Sequence, residues 1–195
     1  MRCLQQTAAA LLLLAAVAGC AGSARPPANA VIGETAAASP QRPQVSVPGP
    51  SGEEDGRADL PDFPRDADLV EIRQSVRPEL RFFVDARSVQ VPGGDEVRYT
   101  FVVSNASGGR NITFEAMRCL ARTRVTLAVG SANGTWTAAR FARWEPVDVN
   151  DTAGQRGTLH QDMFCPSRAA VANVKEAVQA LRSGMHPRAG AATSR

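Results

Sequence analysis

Residues that carry the commoner enzyme chemistries are scarce in this chain. It has two histidines among 195 residues, and only His160 lies inside the region that we predict to fold, because His186 falls in the C-terminal tail. No Gly-x-Ser-x-Gly elbow and no glycine-rich phosphate loop occurs in the sequence. These absences argue against a serine hydrolase of the elbow type and against a phosphate-loop or dinucleotide-binding protein. We expect His160 to be an ordinary histidine on a helix surface.

Aromatic residues and lysine are also rare. Aromatic side chains make up 5% of the chain, and Lys175 is the one lysine among 22 basic residues. At this aromatic content, Trp136 and Trp144 are expected to pack in the core or at its rim rather than to form a sugar platform. The formal net charge is only +3, which is small for a nucleic-acid-binding surface. We therefore expect no nucleic acid partner.

No apolar run is long enough to span a bilayer, which needs about 20 residues. The longest run, Ala8–Ala18, follows the charged Arg2 and is typical of a secretory signal peptide. It ends in Val17-Ala18-Gly19-Cys20, which resembles the lipobox of bacterial lipoproteins. Small residues precede the cut there, and a thiol receives the diacylglyceryl group and its palmitate-type acyl chains. We predict a signal peptide over residues 1–20 and lipidation of Cys20.

The residue after Cys20 bears on the location. Ala21 stands there instead of aspartate, and by resemblance to such signals this favours an outer-membrane anchor with the domain on the periplasmic face. The alternative is a soluble periplasmic protein that is cut at a nearby small residue. Residues 21–58 are rich in Ala, Pro, Gly and Ser, a composition that predicts a disordered tether between the anchor and the domain.

Residues 59–184 have the pattern of a folded domain. Apolar residues alternate from Val97 to Val103, as in a strand with one buried face. Further strands are predicted over 80–84, 88–91, 111–119, 124–129 and 135–139. Turn-forming residues separate them, including the hairpin signal Asn133-Gly134. Such short connections indicate an antiparallel meander and not a parallel nucleotide-binding sheet.

Two helices are expected after the strands. A capping box at Thr158 begins the first. The second runs from a cap at Ser167 to Gly184, which can adopt the left-handed conformation that ends a helix. Its apolar stripe consists of Val171, Val174, Val178 and Leu181. An antiparallel sheet with a C-terminal helix across one face is an α+β domain. Residues 185–195 are predicted to be a disordered tail.

The mature domain holds two cysteines, Cys119 and Cys165. In an exported protein, which folds in an oxidising compartment, two cysteines form a disulfide by default. A closed loop of about 47 residues would stabilise the domain by at most roughly 4 kcal/mol. Two alternatives stay open: a reactive Cys119 thiol beside Arg118, and a zinc site of both cysteines with His160 and Asp162. No Cys-x-x-Cys or paired-histidine spacing supports the zinc site, so we expect no metal and no cofactor.

Two sets of charged residues are candidates for a functional site. Arginine binds phosphate and carboxylate bidentately, so a group of arginines in the meander is a candidate patch for an anionic envelope polymer. Its members are Arg118, Arg122, Arg124, Arg140 and Arg143. The alternative is a solvated sheet face whose arginines are balanced by nearby acids. The second set is carboxylates that could pair as acid and base: Asp85, Glu115, Glu145 and Asp162.

Several short motifs together resemble a known family. They are Arg81–Asp85, Val97–Thr100, Asn111–Glu115, Arg118-Cys119, Gly134–Trp136, Ala139-Arg140, Trp144 and Phe164–Pro166. In this order and spacing, residues from about Leu60 to Leu181 resemble the CNP-one-like domain of secreted bacterial proteins. Ala116 stands where that family tends to have glycine. The resemblance implies no established activity, and it adds support for a Cys119–Cys165 pair and for an envelope location.

We therefore expect an envelope lipoprotein whose domain is a non-enzymatic binding or structural module. Its expected partners are the membrane, through the lipid anchor, and an envelope protein or an anionic polymer. The alternative is a periplasmic hydrolase or transferase with a carboxylate-based site. A deep cleft that converges on Asp85, Glu115 or Asp162 would favour the enzyme. A filled core and an arginine-lined surface would favour binding.

Overall fold

The computed structural model describes residues 41–49, 54–72, 79–148 and 155–189. All of them belong to one compact unit that spans Pro40–Arg195. The predicted signal peptide, the candidate lipidation site Cys20 and residues 21–40 of the predicted tether lie outside the described residues. Among the helices that the structure describes, none has the length and hydropathy to cross a bilayer.

A seven-stranded antiparallel sheet forms the centre of the unit, and a separate hairpin precedes it along the chain. The hairpin pairs β1 (Gln44–Pro48) with β2 (Glu54–Asp59). The strands of the sheet are β3 (Leu69–Glu71), β4 (Leu80–Gly93), β5 (Glu96–Asn105), β6 (Arg110–Arg118), β7 (Thr123–Gly130), β8 (Trp136–Ala138) and β9 (Glu145–Pro146). Strands β3 to β8 pair in chain order, and β9 pairs with β7. This order confirms the predicted meander.

Side-chain alternation gives the sheet two buried faces. Tyr99 and Phe101 on β5 and Met117 on β6 point to one face and are fully buried. Phe114 and Ala116 on β6 point to the opposite face and are equally buried. A strand places every second residue on the same face, so this distribution requires a covering layer on each side of the sheet.

Helices cover the first face. After β9 come α1 (Arg156–Thr158), a π-helical turn (Leu159–Phe164), a 3-10 turn (Pro166–Arg168) and α2 (Val174–Ser183). Leu159, Phe164 and Leu181 from these helices pack into one apolar cluster with Tyr99 and Phe101. An antiparallel sheet with helices on one face is an α+β architecture, and the expected fold class is confirmed.

The hairpin covers the second face, and this corrects the predicted tether. Val45 and Val47 on β1 are buried in a cluster with Phe114 of the sheet. The segment after β2 continues along the same face, where the Leu60 amide donates to the Pro43 carbonyl at 2.8 Å. Residues 44–48 and 54–59 are therefore strands and not tether. The Pro- and Gly-rich composition concealed a short valine alternation whose burial supplies the missing stabilisation.

The second predicted helix begins later than expected. Its N-cap is Asn173, whose side chain accepts from the Glu176 amide at 3.0 Å. The expected cap, Ser167, lies in the preceding 3-10 turn with a left-handed backbone (φ 57°). Val174 of the predicted stripe is exposed as a result. The C-terminal end is as predicted, since Gly184 takes a positive φ of 78° just after the last helical residue.

The two cysteines of the folded domain form a disulfide. Cys119 and Cys165 have Cα atoms 5.2 Å apart, and both residues are buried. The bridge joins the residue after β6 to the residue after the π-helical turn, so it ties the sheet to the helical layer. It confirms the expected pairing. The reactive-thiol and zinc alternatives are wrong, because both sulfur atoms are used in the bond.

The predicted tail is ordered at its start. His186 is buried; its amide donates to the Asp162 carbonyl at 2.6 Å, and its Nε2 contacts Glu176 Oε1 at the same distance. The prediction of a disordered tail from residue 185 is therefore wrong for 185–189. Contacts from a side chain ten residues away in sequence hold this segment, and a local composition cannot show them. Residues 190–195 lie outside the described part of the chain.

Candidate functional site

Glu115 is the most deeply buried of the candidate acids. It lies in the middle of β6 opposite Tyr99 of β5, on the face that the helices cover. The Arg156 guanidinium contacts both carboxylate oxygens, through Nε at 2.9 Å and Nη2 at 2.5 Å. Thr113 Oγ1 donates to it at 2.7 Å, and the Tyr99 hydroxyl donates at 3.3 Å.

The first residue of α1 supplies the counter-charge. Gln155, in a left-handed conformation with φ 55°, turns the chain so that Arg156 begins the helix over the sheet. The Arg156 guanidinium stacks over the Phe101 ring at 4.3 Å. Its side chain keeps 23% of its surface exposed, so the ion pair is open to solvent on one side only. This cation–π contact and the bidentate pair together fix one arginine geometry.

The surroundings of Glu115 act on its pKa in opposite directions. Burial raises the pKa of Glu115, but hydrogen bonds and charge from Arg156, with smaller contributions from Arg124 and Thr113, hold it below the ordinary value. Burial and the adjacent Glu115 charge raise the pKa of Tyr99 well above its ordinary value. At neutral pH the pair is therefore a carboxylate and a neutral phenol. A carboxylate held ionised in a closed site is a poor general acid.

Asp85 is the candidate acid that borders a cavity. It lies on β4 where the pairing with β5 shifts between Asp85 and Gln90. Ser88 stabilises this irregular segment, because its hydroxyl donates to the Asp85 carbonyl and accepts from the Thr100 amide, both at 2.7 Å. The irregularity lies inside one long strand, so the two strands predicted over 80–84 and 88–91 are a single element. This irregularity turns the buried Asp85 side chain toward the residues that precede β3 in the chain.

The cavity beside Asp85 is small, and both acidic and basic residues line it. Its volume is about 190 Å³. Its charged lining residues are Arg42, Arg65, Arg87, Asp62, Asp68 and Asp85. Burial raises the pKa of Asp85, opposed by the Arg87 amide that donates to its carboxylate at 2.9 Å. Asp68 pairs with Arg65 at 2.9 Å. Of the four candidate acids, Asp85 is the one that lines this cavity.

The remaining two candidate acids lie apart from both sites. Glu145 on β9 lies 3.4 Å from Arg124 and 3.4 Å from Arg143, and its side chain is 45% exposed. Asp162 lies in the π-helical turn, where burial raises its pKa and its carbonyl accepts from the His186 amide. The four acids are therefore distributed over different parts of the domain, and the structure does not assemble them into one acid–base pair.

The five candidate arginines do not form a single patch either. Arg118 points to the face that the hairpin covers, where it stacks over Trp144 at 4.1 Å and pairs with Glu96 at 3.7 Å. Arg124 points to the opposite face, because it lies across from Met117. Side chains alternate between the two sides of a strand. Arg118 and Arg124 lie on different strands, so their spacing in the sequence does not show which side of the sheet each one faces.

Three of the five arginines remain at one edge of the sheet. Arg122 lies in the turn before β7, and Arg140 and Arg143 lie in the segment between β8 and β9, which follows the outer edge of β7. Arg122 and Arg140 make no ion pair with any described residue, and Arg143 shares Glu145 with Arg124. We call Arg122, Arg140 and Arg143 the cationic edge.

His160 differs from its expected role. It is 1% exposed, and its Nε2 lies 3.0 Å from the Cys119 carbonyl, so that nitrogen carries the hydrogen and donates. Burial lowers the pKa of His160. Its Nδ1 has no hydrogen-bond partner among the described residues. The ring packs beneath the disulfide instead of lying on a helix surface. The described residues contain no group of three side chains suited to a metal ion.

Two surface features had no signal in the sequence. A groove of about 560 Å³ runs between β3 and the end of α2, with Leu69, Phe83 and Leu181 in its lining. Phe141, between β8 and β9, is 90% exposed. The groove arises where distant elements meet, so no local pattern predicts it. The residues around Phe141 in the sequence do not predict whether its side chain is exposed or buried.

The fold and the buried disulfide define a small disulfide-bonded α+β domain. The CNP1-like family model matches residues 51–182, which is well over half of the chain. The chain therefore belongs to the CNP1-like family, as its resemblance to the CNP-one-like domain indicated. Searches of the curated proteins and of the solved structures found no match.

Proposed function

We propose that this chain is an outer-membrane lipoprotein, anchored through Cys20, whose domain faces the periplasm and works by binding rather than by catalysis. The observation that carries the binding role is the cationic edge. Guanidinium groups bind anionic partners bidentately, and Arg122 and Arg140 make no ion pair with any residue in the described part of the chain. An anionic component of the envelope is the partner that fits.

The state of Glu115 supports the same proposal. An acid–base catalyst must reach its substrate and exchange a proton with it. Glu115 is fully buried, and Arg156, Thr113 and Tyr99 already occupy its oxygens. The charges inside the domain thus hold the helical layer on the sheet, while the arginines that remain available for a partner lie outside, at the edge of β7.

The anchor is tested by Cys20→Ala. Removing the thiol removes the atom to which lipid is attached, so the precursor should stay unprocessed or the domain should move from the membrane fraction to the soluble fraction. Inhibition of lipoprotein signal peptidase should have a matching effect on the parent chain. Unchanged mass and unchanged fractionation in both experiments would show that Cys20 carries no lipid, and a parent chain found in the soluble fraction would support the soluble periplasmic location.

Binding is tested with a soluble anionic polymer, fluorescent poly-glutamate, and the chain carrying Cys20→Ser, followed by anisotropy at low and moderate salt. The double variant Arg122→Gln/Arg140→Gln should bind about tenfold or more weakly, because each charge lost from an anion-binding surface weakens attraction and its salt dependence. The matched control is Lys175→Gln/Arg182→Gln, which removes two exposed charges from α2. Equal weakening by both pairs would refute a binding site at the cationic edge.

The alternative, a periplasmic hydrolase or transferase, is favoured by Asp85. Burial raises the pKa of Asp85 and the carboxyl borders a cavity, which are two properties of a general acid. Its test is a panel of chromogenic esters and glycosides with the parent chain and Asp85→Asn. Turnover by the parent chain that Asp85→Asn abolishes would replace the binding proposal, whereas turnover that both chains share would be a contaminant.

A further inference from the structure

The β8–β9 loop, residues 139–144, presents an aromatic side chain to solvent. Phe141 is 90% exposed, more than any other large apolar side chain in the described part of the chain. Isolated exposed apolar residues are common. A fully exposed aromatic ring has the largest apolar area to gain by burial against a partner, so the geometry of its loop matters.

Contacts on both sides hold Phe141 outward. The Ala139 amide donates to the Leu127 carbonyl at 2.9 Å, which fixes the start of the loop to β7. At its end, the Trp144 indole donates to the Pro48 carbonyl at 2.6 Å. Ala142 packs against the apolar cluster beneath the hairpin. With its neighbour turned inward and both ends attached, Phe141 cannot enter the core without breaking these contacts.

Arginines flank the exposed ring. Arg140 is exposed and makes no ion pair with any described residue. Arg143 is 79% exposed, and its one acidic neighbour, Glu145, lies at 3.4 Å and also contacts Arg124. The loop therefore combines one outward aromatic ring with two cations, and among the described residues Glu145 is the carboxylate that pairs with either of them.

We infer that the β8–β9 loop is a membrane-contact element, in which Phe141 enters the headgroup region of an anionic bilayer while Arg140 and Arg143 bind lipid phosphates. An aromatic ring between basic residues is suited to this interface, since burial of apolar area and attraction to anionic lipid add. The inference rests on the proposed function, because it assigns a partner to the cationic edge.

A bilayer fits this loop better than a protein does. A stable protein interface buries about 800 Å² on each partner and has several anchors packed together. The residues beside Phe141 in the chain are Arg140 and Ala142, and Ala142 already faces inward. A lipid surface accepts a single wedge because it needs no matching pocket, and its phosphates complement both arginines.

The test is co-sedimentation of the chain carrying Cys20→Ser, so that binding does not depend on acylation. Vesicles of equimolar phosphatidylglycerol and phosphatidylethanolamine should bind the chain, and phosphatidylcholine vesicles should bind it at least tenfold more weakly. Phe141→Ala should lower the partition coefficient for anionic vesicles by about tenfold, since partial burial of a phenyl ring contributes more than 1 kcal/mol. Met185→Ala, which removes a half-exposed apolar side chain from the segment after α2, should have no effect.

A second measurement reports insertion directly. Phe141→Trp should add fluorescence that shifts to shorter wavelength with anionic vesicles and is unchanged with phosphatidylcholine. The inference is overturned if Phe141→Ala and the parent chain bind equally, or if position 141 shows no shift. Binding of poly-glutamate without binding of vesicles would overturn the lipid partner and leave the proposed function intact. Binding of neither probe would overturn both.

Discussion

At the scale of single residues, charged groups in this domain are divided by their environment. Glu115 lies in the core and is neutralised by Arg156. Asp85 borders a cavity, and in the described contacts no arginine side chain donates to its carboxylate oxygens. Arg140 is exposed to solvent. Because the three environments differ in burial and in counter-charge, their substitutions should have different effects on stability at different pH.

Replacing Glu115 by glutamine should lower the free energy of unfolding by about 3 kcal/mol at pH 7, because the partly buried Arg156 then loses its counter-charge. The pKa of Glu115 is depressed below the ordinary 4.5, so its stabilisation is present above pH 4.5 and is lost as pH falls through the folded-state pKa. The difference between parent and Glu115→Gln in urea unfolding should narrow as pH falls below 4.5.

The control for this prediction is the double variant Glu115→Gln/Arg156→Met. It removes the uncompensated charge together with its partner, so it should recover part of the stability that Glu115→Gln loses. A parent chain whose stability relative to Glu115→Gln does not change with pH would show that the carboxylate is not ionised in the fold.

Asp85→Asn should change the free energy of unfolding at pH 7 in the opposite direction from Glu115→Gln. Burial raises the pKa of Asp85 above the ordinary 3.8, so the stability it contributes is present below that value and is lost as pH rises through the folded-state pKa. Asparagine keeps the oxygen that accepts from the Arg87 amide. Asp85→Asn should therefore be more stable than the parent at pH 7 and about equal to it near pH 3. Destabilisation at pH 7 would mean that the carboxylate is paired.

At the scale of elements, two local devices hold the helical layer: the disulfide and the cap of α2. The disulfide closes a sequence separation of 46 residues between β6 and the π-helical turn. The cap lies at Asn173, immediately before α2. Each can be removed without changing the apolar residues that the layer buries.

Cys119→Ser and Cys165→Ser should each lower the free energy of unfolding by up to about 4 kcal/mol, since the bridge no longer restricts the unfolded chain. The double variant should be no less stable than the single ones, because the lost link is shared. Intact-mass analysis after alkylation provides the check on pairing. Alkylation of two cysteines in the native parent chain would contradict the bridge.

The position of the helix cap predicts that two polar residues, Asn173 and Ser167, contribute differently to stability. Asn173→Ala should lower the free energy of unfolding by about 1 kcal/mol, because the Glu176 amide loses its acceptor. Ser167→Ala should change it by only a few tenths of a kcal/mol, because that side chain caps no helix. Thermal unfolding of both variants distinguishes the cap in the structure from the one that the sequence suggested.

At the scale of the whole molecule, the hairpin is part of the domain. A mature chain that begins at residue 59 lacks β1 and nearly all of β2, and so exposes Phe114 and its neighbours. We expect it to be about 3–5 kcal/mol less stable than a chain that begins at residue 41, because the buried Val45 and Val47 are lost. The double variant Val45→Ser/Val47→Ser should reproduce much of that loss in chemical unfolding. Equal stability of the two truncated chains would place the domain boundary at residue 59.

Local regularities in the sequence were sufficient for the meander. The alternation from Val97 to Val103 and the Asn133-Gly134 turn act over a few residues, and neighbouring strands with short connections pair in chain order. The end of α2 at Gly184 depends on one residue that tolerates a left-handed backbone. The pairing of Cys119 with Cys165 was expected because they are the two cysteines of the predicted folded domain.

Tertiary structure alone decided which side each charge faces and which segments the core accepts. Neither Glu115 nor His160 has a local signal for burial, because their partners, Arg156 and the Cys119 carbonyl, lie 41 residues away in the chain. Val45 joins the domain because the sheet presents an uncovered apolar face. The arginines separate because alternation turns Arg118 and Arg124 to opposite faces. Burial and the facing of side chains depend on contacts between residues that are far apart in the chain, whereas sequence patterns reflect only contacts between residues that are close in the chain.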